Sequence, residues 1–137
     1  MTVDAVAASS DGAAPPSSSP AARVTAMPGD ANPYGDIFGG WLMAQMDLAA
    51  GNLAQRLAKG RCVTAAVDGM AFLAPVHVGD EVSFFGELLS VGRTSMKISI
   101  EAVRRTRFET ETVPVTKAVF TFVALDEDRR PRVINLG

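Results

Sequence analysis

Residues 32–47 read NPYGDIFGGWLMAQMD, and the reading of this stretch decides the fold. Asn, Pro, Gly and Asp in close succession make its first half a turn. Its second half opens on the pair Gly39-Gly40 and runs into Trp41, Leu42, Met43, Ala44, Met46, Leu48, Ala49 and Ala50. From Gly40 to Lys59 there is hardly a β-branched residue, and Ala, Leu, Met, Gln and Arg predominate. That composition predicts one helix of about 30 Å, with Gly60 as its stop signal. Its first three turns are apolar almost all round, so the helix is expected to be buried on every side. Gln55, Arg56 and Lys59 bring its far end back to solvent.

On either side of the helix the hydrophobic period is two. RVTAM at 23–27 is a short strand that opens the domain. After the helix come RCVTAAVDGMAF (61–72), the turn LAPVHVGD and EVSFFGELLSV, with Val82, Phe84, Gly86 and Leu88 on one face. TSMKISIEAVRR sets Met96, Ile98 and Ile100 against Lys97, Ser99 and Glu101, and VTKAVFTFVAL closes the series after a loop around 109–114. Short connections between consecutive strands imply an antiparallel meander. The order strand, long helix, four strands is an α+β arrangement. A sheet covers one side of a helix, so the remaining side calls for a second copy of the chain, at least a homodimer.

Composition narrows the function. The chain has 137 residues, 47% of them hydrophobic, enough for one domain with a core. A formal net charge of −2 gives no global basic field, so nucleic acid is not an expected partner. The single cysteine, Cys62, excludes an internal disulfide, and with one histidine there is no basis for a Cys- or His-built metal site. Residues 1–22, rich in Ala, Ser and Pro, are expected to be a disordered tail, leaving 23–137 as the domain. The tail lacks the pattern of a signal peptide, and no clean apolar run is long enough to span a bilayer. The expected location is the cytoplasm, away from membranes.

The chemistry is concentrated at the front of the helix. The first amides of a helix lack intrahelical partners and carry the positive end of its dipole. Bare glycines at 39 and 40 let a ligand oxygen approach those amides, as a developing oxyanion in acyl transfer requires; they also serve close packing of loop on helix. Asp47 is a carboxylate within an apolar run. It suits general-base or nucleophilic work, or else it is bonded along a polar seam to a strand hydroxyl such as Thr64. Seven residues separate Gly40 from Asp47, a rise of roughly 10 Å, too far for both to grip one carbonyl within a chain. If two helices run antiparallel across a dimer, Asp47 of one approaches Gly39 and Gly40 of the other. Asn32 precedes the helix in a loop where its amide is free to orient a water or a carbonyl, while Asp36 there reads as a cap or turn former. His77 sits in a turn, and no GxSxG elbow accompanies it, so no serine–histidine mechanism is read from it.

Taken together, MPGDANPYGDIFGGWLMAQMD, VDGMAFLAPVHVGDEV, VGRTSMKI and AVFTFVALD resemble the YciA-type acyl-CoA thioesterases of the hotdog superfamily, from about residue 23 to the C-terminus. The resemblance implies a hotdog fold, with one long central helix wrapped by an antiparallel sheet. It implies double-hotdog dimers, and hexamers built as trimers of dimers. It implies hydrolysis of acyl-CoA to free acid and CoA, with no cofactor beyond the CoA of substrate and product. By the same resemblance Asp47 is the base or nucleophile, Asn32 of the opposite subunit positions the water or carbonyl, and Gly39 and Gly40 donate to the thioester oxygen. Asp68 stands where the family pattern has Glu.

The phosphates of CoA need an electropositive mouth. By the resemblance Arg93, Thr94, Ser95 and Lys97 lie near the nucleotide, although GRTSMK also reads as a solvated hairpin turn. Arg129, Arg130 and Arg132 either reach the 3′-phosphate or form a solvated tail. The alternative to an enzyme is an acyl-CoA-binding or sensing module on the same fold, which has no need of an acid at position 47.

Overall fold

A computed structural model of the chain describes residues 19–136, so residues 1–18 of the expected tail lie outside the described residues. Five strands and one long helix follow the predicted order: β1 (Ala22–Thr25), α1 (Gly39–Ala58), β2 (Cys62–Phe72), β3 (Glu81–Val91), β4 (Ser95–Arg105) and β5 (Thr112–Ala124). β1 begins one residue before the expected domain start, and the Ala21 N–H already donates to Phe84 O (2.7 Å). β5 begins within the expected 109–114 loop, because the backbone of Thr112–Pro114 pairs with Val103–Arg105.

All pairings are antiparallel, in the order β1-β3-β4-β5-β2. This corrects the expected four-strand meander. β3, β4 and β5 form one, but β2 pairs with β5 at the far edge rather than with β3. The connection LAPVHVGD is the reason. Its eight residues are long enough to carry the chain from one edge toward the other, past the helix entrance, where the Ile37 N–H donates to Val76 O.

The inner face of the sheet carries Val82, Phe84, Met96, Ile98, Ile100, Phe120 and Phe122, all buried against α1. On the helix Leu42, Met46, Ala49, Ala50, Ala54 and Ala58 complete that core, at the three- and four-residue spacing of one face. The small alanines let helix and sheet approach closely, and a Cβ added at Gly51 would lie 3.7 Å from the Phe122 ring. Within one chain the opposite face of the helix is uncovered: Met43 and Ala44 are exposed and Leu48 is 63% exposed. Beside it the edge strand β2 and the residue after it leave Val63, Phe72 and Leu73 open. The helix is thus apolar all round, as expected, but its own sheet buries only one side.

The end of the helix departs from expectation. Lys59, not Gly60, takes the left-handed conformation (φ 57°) that closes the helix. Gly60 matters for a different reason: a Cβ there would lie 2.6 Å from Arg132 Nη2 and would displace that guanidinium. That guanidinium donates to Ala58 O (2.7 Å) and Leu125 O (3.1 Å), so it satisfies a carbonyl at the helix terminus. The basic cluster DRRPR is accordingly a built turn rather than a solvated tail. Asp126 Oδ1 accepts the N–H groups of Asp128 and Arg130, and Arg129 adopts φ 63°.

Candidate active site

Asp47 lies on the third turn of α1, half-buried, at the border between the packed face and the uncovered one. Thr64 Oγ1 on β2 donates to its Oδ1 at 2.5 Å. The acid is therefore not sealed in the core. It stands beside exposed Met43, Ala44 and Leu48, with one oxygen held by a strand hydroxyl and the other left for chemistry.

The helix entrance is a second centre. Phe38 precedes the helix in extended conformation and contributes no side-chain cap, and the first turn holds no acid. The amides of Gly39 and Gly40 thus carry the positive helix end without an internal acceptor, the state in which such amides bind an oxygen. The two glycines differ. A Cβ at Gly39 would stand 2.9 Å from the Phe72 ring, so a side chain there would push that half-exposed ring aside. A Cβ at Gly40 would meet only the Phe38 ring, at an ordinary 3.4 Å, so packing within the chain does not demand glycine at position 40.

Asn32 shapes the loop before the helix. Its Oδ1 accepts the N–H groups of Tyr34 (2.9 Å) and Asp36 (3.1 Å), and its own N–H donates to Asp36 O (2.7 Å). This spends the side-chain oxygen and leaves the amide donors of Nδ2. Asp36 is a turn residue, as expected, and it also faces His77, Oδ1 to Nε2 at 3.9 Å.

The predicted nucleotide segment sits at the β3–β4 turn. Gly92 N–H donates to Ser95 O, Ala124 N–H to Thr94 O and Ile134 N–H to Arg93 O, which fixes this turn to the end of β5. Sheet register puts Ser95 and Met96 in line with Val63 and Thr64, through Val123 and Phe122 of β5. Arg93, Thr94 and Ser95 therefore share an end of the sheet with the Asp47–Thr64 pair, two strand spacings away, about 10 Å. By alternation Ser95 shares the outer face of β4 with exposed Lys97, while Met96 and Ile98 are buried against the helix. Asp68 is likewise exposed and paired in register with Val119.

The structure thus brings Asp47 and Thr64 together, keeps Arg93, Thr94 and Ser95 at the same end, and leaves the helix entrance with Asn32 apart, near Phe72 at the other end of β2. Thr64 was legible only as an example of a strand hydroxyl, because its pairing with Asp47 depends on how the helix crosses β2. Among the described residues no group of three or more His, Cys, Asp or Glu gathers as a metal site, and no helix is long and apolar enough to cross a membrane.

Residues 34–110 match the thioesterase superfamily model. An uncharacterized acyl-CoA thioester hydrolase of Zymomonas mobilis is 55% identical over 116 residues, covering 85% of this chain and 78% of that protein. The acyl-CoA thioester hydrolase YciA of Salmonella typhimurium is 47% identical over 113 residues, covering 80% and 85%. Among solved structures, the hexameric thioesterase y2039 of Yersinia pestis superposes with a TM-score of 0.83 at 43% identity, covering 89% and 99%. With its helix wrapped by a five-stranded antiparallel sheet and these relatives, the chain belongs to the thioesterase superfamily, as a hotdog protein of the YciA type.

Proposed function

We propose that this protein is an acyl-CoA thioesterase that hydrolyses the thioester to a free carboxylic acid and CoA. The observation that carries the proposal is the Asp47 carboxylate, oriented by Thr64 on the open face of a helix whose own entrance holds uncapped glycine amides. The relatives named above, acyl-CoA thioester hydrolases, support the substrate class.

In this reading Asp47 accepts a proton from water as the water oxygen attacks the thioester carbon. The carbonyl oxygen, now negative, takes hydrogen bonds from the Gly39 and Gly40 amides, and such donors are worth roughly 3 kcal/mol each. Collapse breaks the carbon–sulfur bond, and the proton held by Asp47 passes to the leaving thiolate. Direct attack by Asp47, with an anhydride then opened by water, uses the same residues. Because about 10 Å of helix separates Asp47 from Gly40, the two centres converge only between chains. The proposed site therefore pairs Asp47 of one protomer with Asn32, Gly39 and Gly40 of its partner, across a double-hotdog dimer. The uncovered stripe of Met43, Ala44 and Leu48 and the open edge of β2 support such a dimer, and the hexameric relative supports a trimer of dimers.

Arg93, Thr94, Ser95 and Lys97 are the proposed contacts for the nucleotide end of CoA, and no metal or cofactor enters the reaction. A cytoplasmic location is proposed on the single cysteine, which fits a reducing compartment.

The deciding experiment measures CoA release from a panel of short, long and aryl acyl-CoAs by the wild type and Asp47→Asn. Turnover by the wild type, with kcat lost in the variant and CoA still bound, is the expected result. Binding without turnover in both proteins makes this an acyl-CoA-binding module instead.

A further inference from the structure

The loop that leads into α1 is fastened to the segment between β2 and β3. The Ile37 N–H donates to Val76 O (3.1 Å), and Asp36 and His77 form an antiparallel bridge. Side chains repeat the link. The His77 ring lies between two carboxylates, with Nε2 3.9 Å from Asp36 Oδ1 and Nδ1 3.8 Å from Asp80 Oδ2.

The two acids are unlike. Asp80 is only 4% exposed, and the backbone around it is tied to the end of β1: the Ala26 N–H donates to Asp80 O and the Gly79 N–H to Ala26 O. Asp36 is exposed and belongs to the loop, where its backbone holds Asn32 on both sides. Three residues after Asp36 the helix entrance begins.

We infer that His77 is a positioning residue: its ring spans the gap between the buried carboxylate of Asp80 and Asp36 and so fixes the loop that presents Asn32, Gly39 and Gly40. The inference rests on the proposed thioesterase reading, and it assigns His77 no contact with substrate. Both gaps exceed a direct hydrogen bond, and the ring directs one nitrogen toward each acid. The other charges nearby are Glu81, which is paired with Arg105 (3.2 Å) and faces Arg23, and two further arginines. The Arg107 guanidinium, from the β4–β5 connection, lies 3.9 Å from where a Gly79 side chain would start, and Arg104 of β4 stands opposite Val82, two residues beyond Asp80.

The turn itself does not need the ring. Asp80 Oδ2 accepts the backbone N–H of residue 77 (2.9 Å), which any residue but proline supplies. Replacing the side chain therefore leaves the turn intact and isolates the effect of the ring.

The test compares His77→Gln and His77→Arg with the wild type, on the full chain, by steady-state hydrolysis of an acyl-CoA and by amide hydrogen exchange over residues 31–40. His77→Gln is expected to lower kcat about fivefold with KM changed less than about twofold, at an unchanged melting temperature. His77→Arg, which places a cation with donors toward both acids, is expected to recover most of kcat. A kcat for His77→Gln equal to that of the wild type overturns the inference, as does an Arg variant no better than Gln. If the wild type hydrolyses no acyl-CoA, the proposed function fails on its own and exchange decides. Faster exchange at 32–37 in His77→Gln but not in His77→Arg upholds the clasp, and equal exchange in all three rejects it.

Discussion

Thr64 Oγ1 donates a 2.5 Å hydrogen bond to Asp47 Oδ1, joining the edge strand of the sheet to the third turn of the helix. A hydroxyl held against one oxygen fixes the plane of the carboxylate and the direction of its second oxygen. A hydrogen bond to a charged group is worth roughly 1.5–3 kcal/mol, and about 1.4 kcal/mol is tenfold in rate. Thr64→Val keeps the shape and removes the donor, so kcat for acyl-CoA hydrolysis should fall about tenfold with KM little changed. Thr64→Ser restores the hydroxyl and should recover most of the loss. Equal rates in the Val and Ser variants would show that Thr64 does not orient the acid.

Gly39 and Gly40 are adjacent and chemically identical, yet they should respond differently to alanine. At Gly39 the new methyl meets the Phe72 ring at 2.9 Å, so the ring must swing away, at a cost on the order of 1 kcal/mol in unfolding free energy. At Gly40 it meets the Phe38 ring at 3.4 Å, and the fold should keep its stability or gain a few tenths of a kcal/mol. That methyl would nonetheless stand where the thioester oxygen must approach, and kcat/KM should fall about tenfold or more. Urea unfolding at one fixed protein concentration and steady-state kinetics separate the two effects. An active, stabilised Gly40→Ala protein would remove the helix entrance from the proposed chemistry.

The sequence made the helix legible because Gly39–Ala58 contains no β-branched residue and its first turns are nearly all apolar. β3 was legible to the residue, Glu81–Val91, because Val82, Phe84 and Leu88 recur with period two and glycine lies close on either side. The place of β2 was not. Nothing local distinguishes a strand that pairs with its successor from one that pairs with β5, since pairing is set by how the sheet rolls around the helix. Arg132 was misread for a related reason: its partner is the carbonyl of Ala58, 74 positions away. Of the site, Asp47 and the glycine pair stood out as exceptions to local rules, an acid in an apolar run and glycines where helix formers belong. His77 broke no such rule, and its place between Asp36 and Asp80 is visible only in three dimensions.

Two arginines at the same end of the sheet should separate stability from substrate binding. Arg132 is committed to Ala58 O and Leu125 O, so Arg132→Ala should lower unfolding free energy by about 1–3 kcal/mol while KM for acyl-CoA stays put. Arg93 is exposed, and its backbone carbonyl accepts the Ile134 N–H. Arg93→Ala should leave stability unchanged and raise KM about tenfold through a lost charge-assisted phosphate contact. The control is a thioester of pantetheine, which lacks the nucleotide: the Arg93 effect should vanish there. A KM effect that persists on the truncated substrate would place Arg93 away from the phosphates.

Cys62 gives the fold a dependence on alkaline pH. Burial pushes its thiol above the ordinary value of 9.0, and the positive charge of Arg132 opposes that rise in part. A raised acid binds its proton more tightly in the folded state than in the unfolded one. Its contribution to stability is therefore fully present below pH 9.0 and is lost as pH rises through the higher folded value. Wild-type unfolding free energy, followed by denaturant titration between pH 8 and 11, should carry a downward component that Cys62→Ala lacks. Arg132→Ala removes the opposing charge, so in that variant the decline should extend to higher pH. The same burial keeps the thiol un-ionised near neutrality, and alkylation of the folded protein by iodoacetamide should be slower than that of the unfolded chain at equal pH. A thiol that reacts as fast folded as unfolded, with no difference between wild type and Cys62→Ala above pH 9.0, would mean that burial does not protect it.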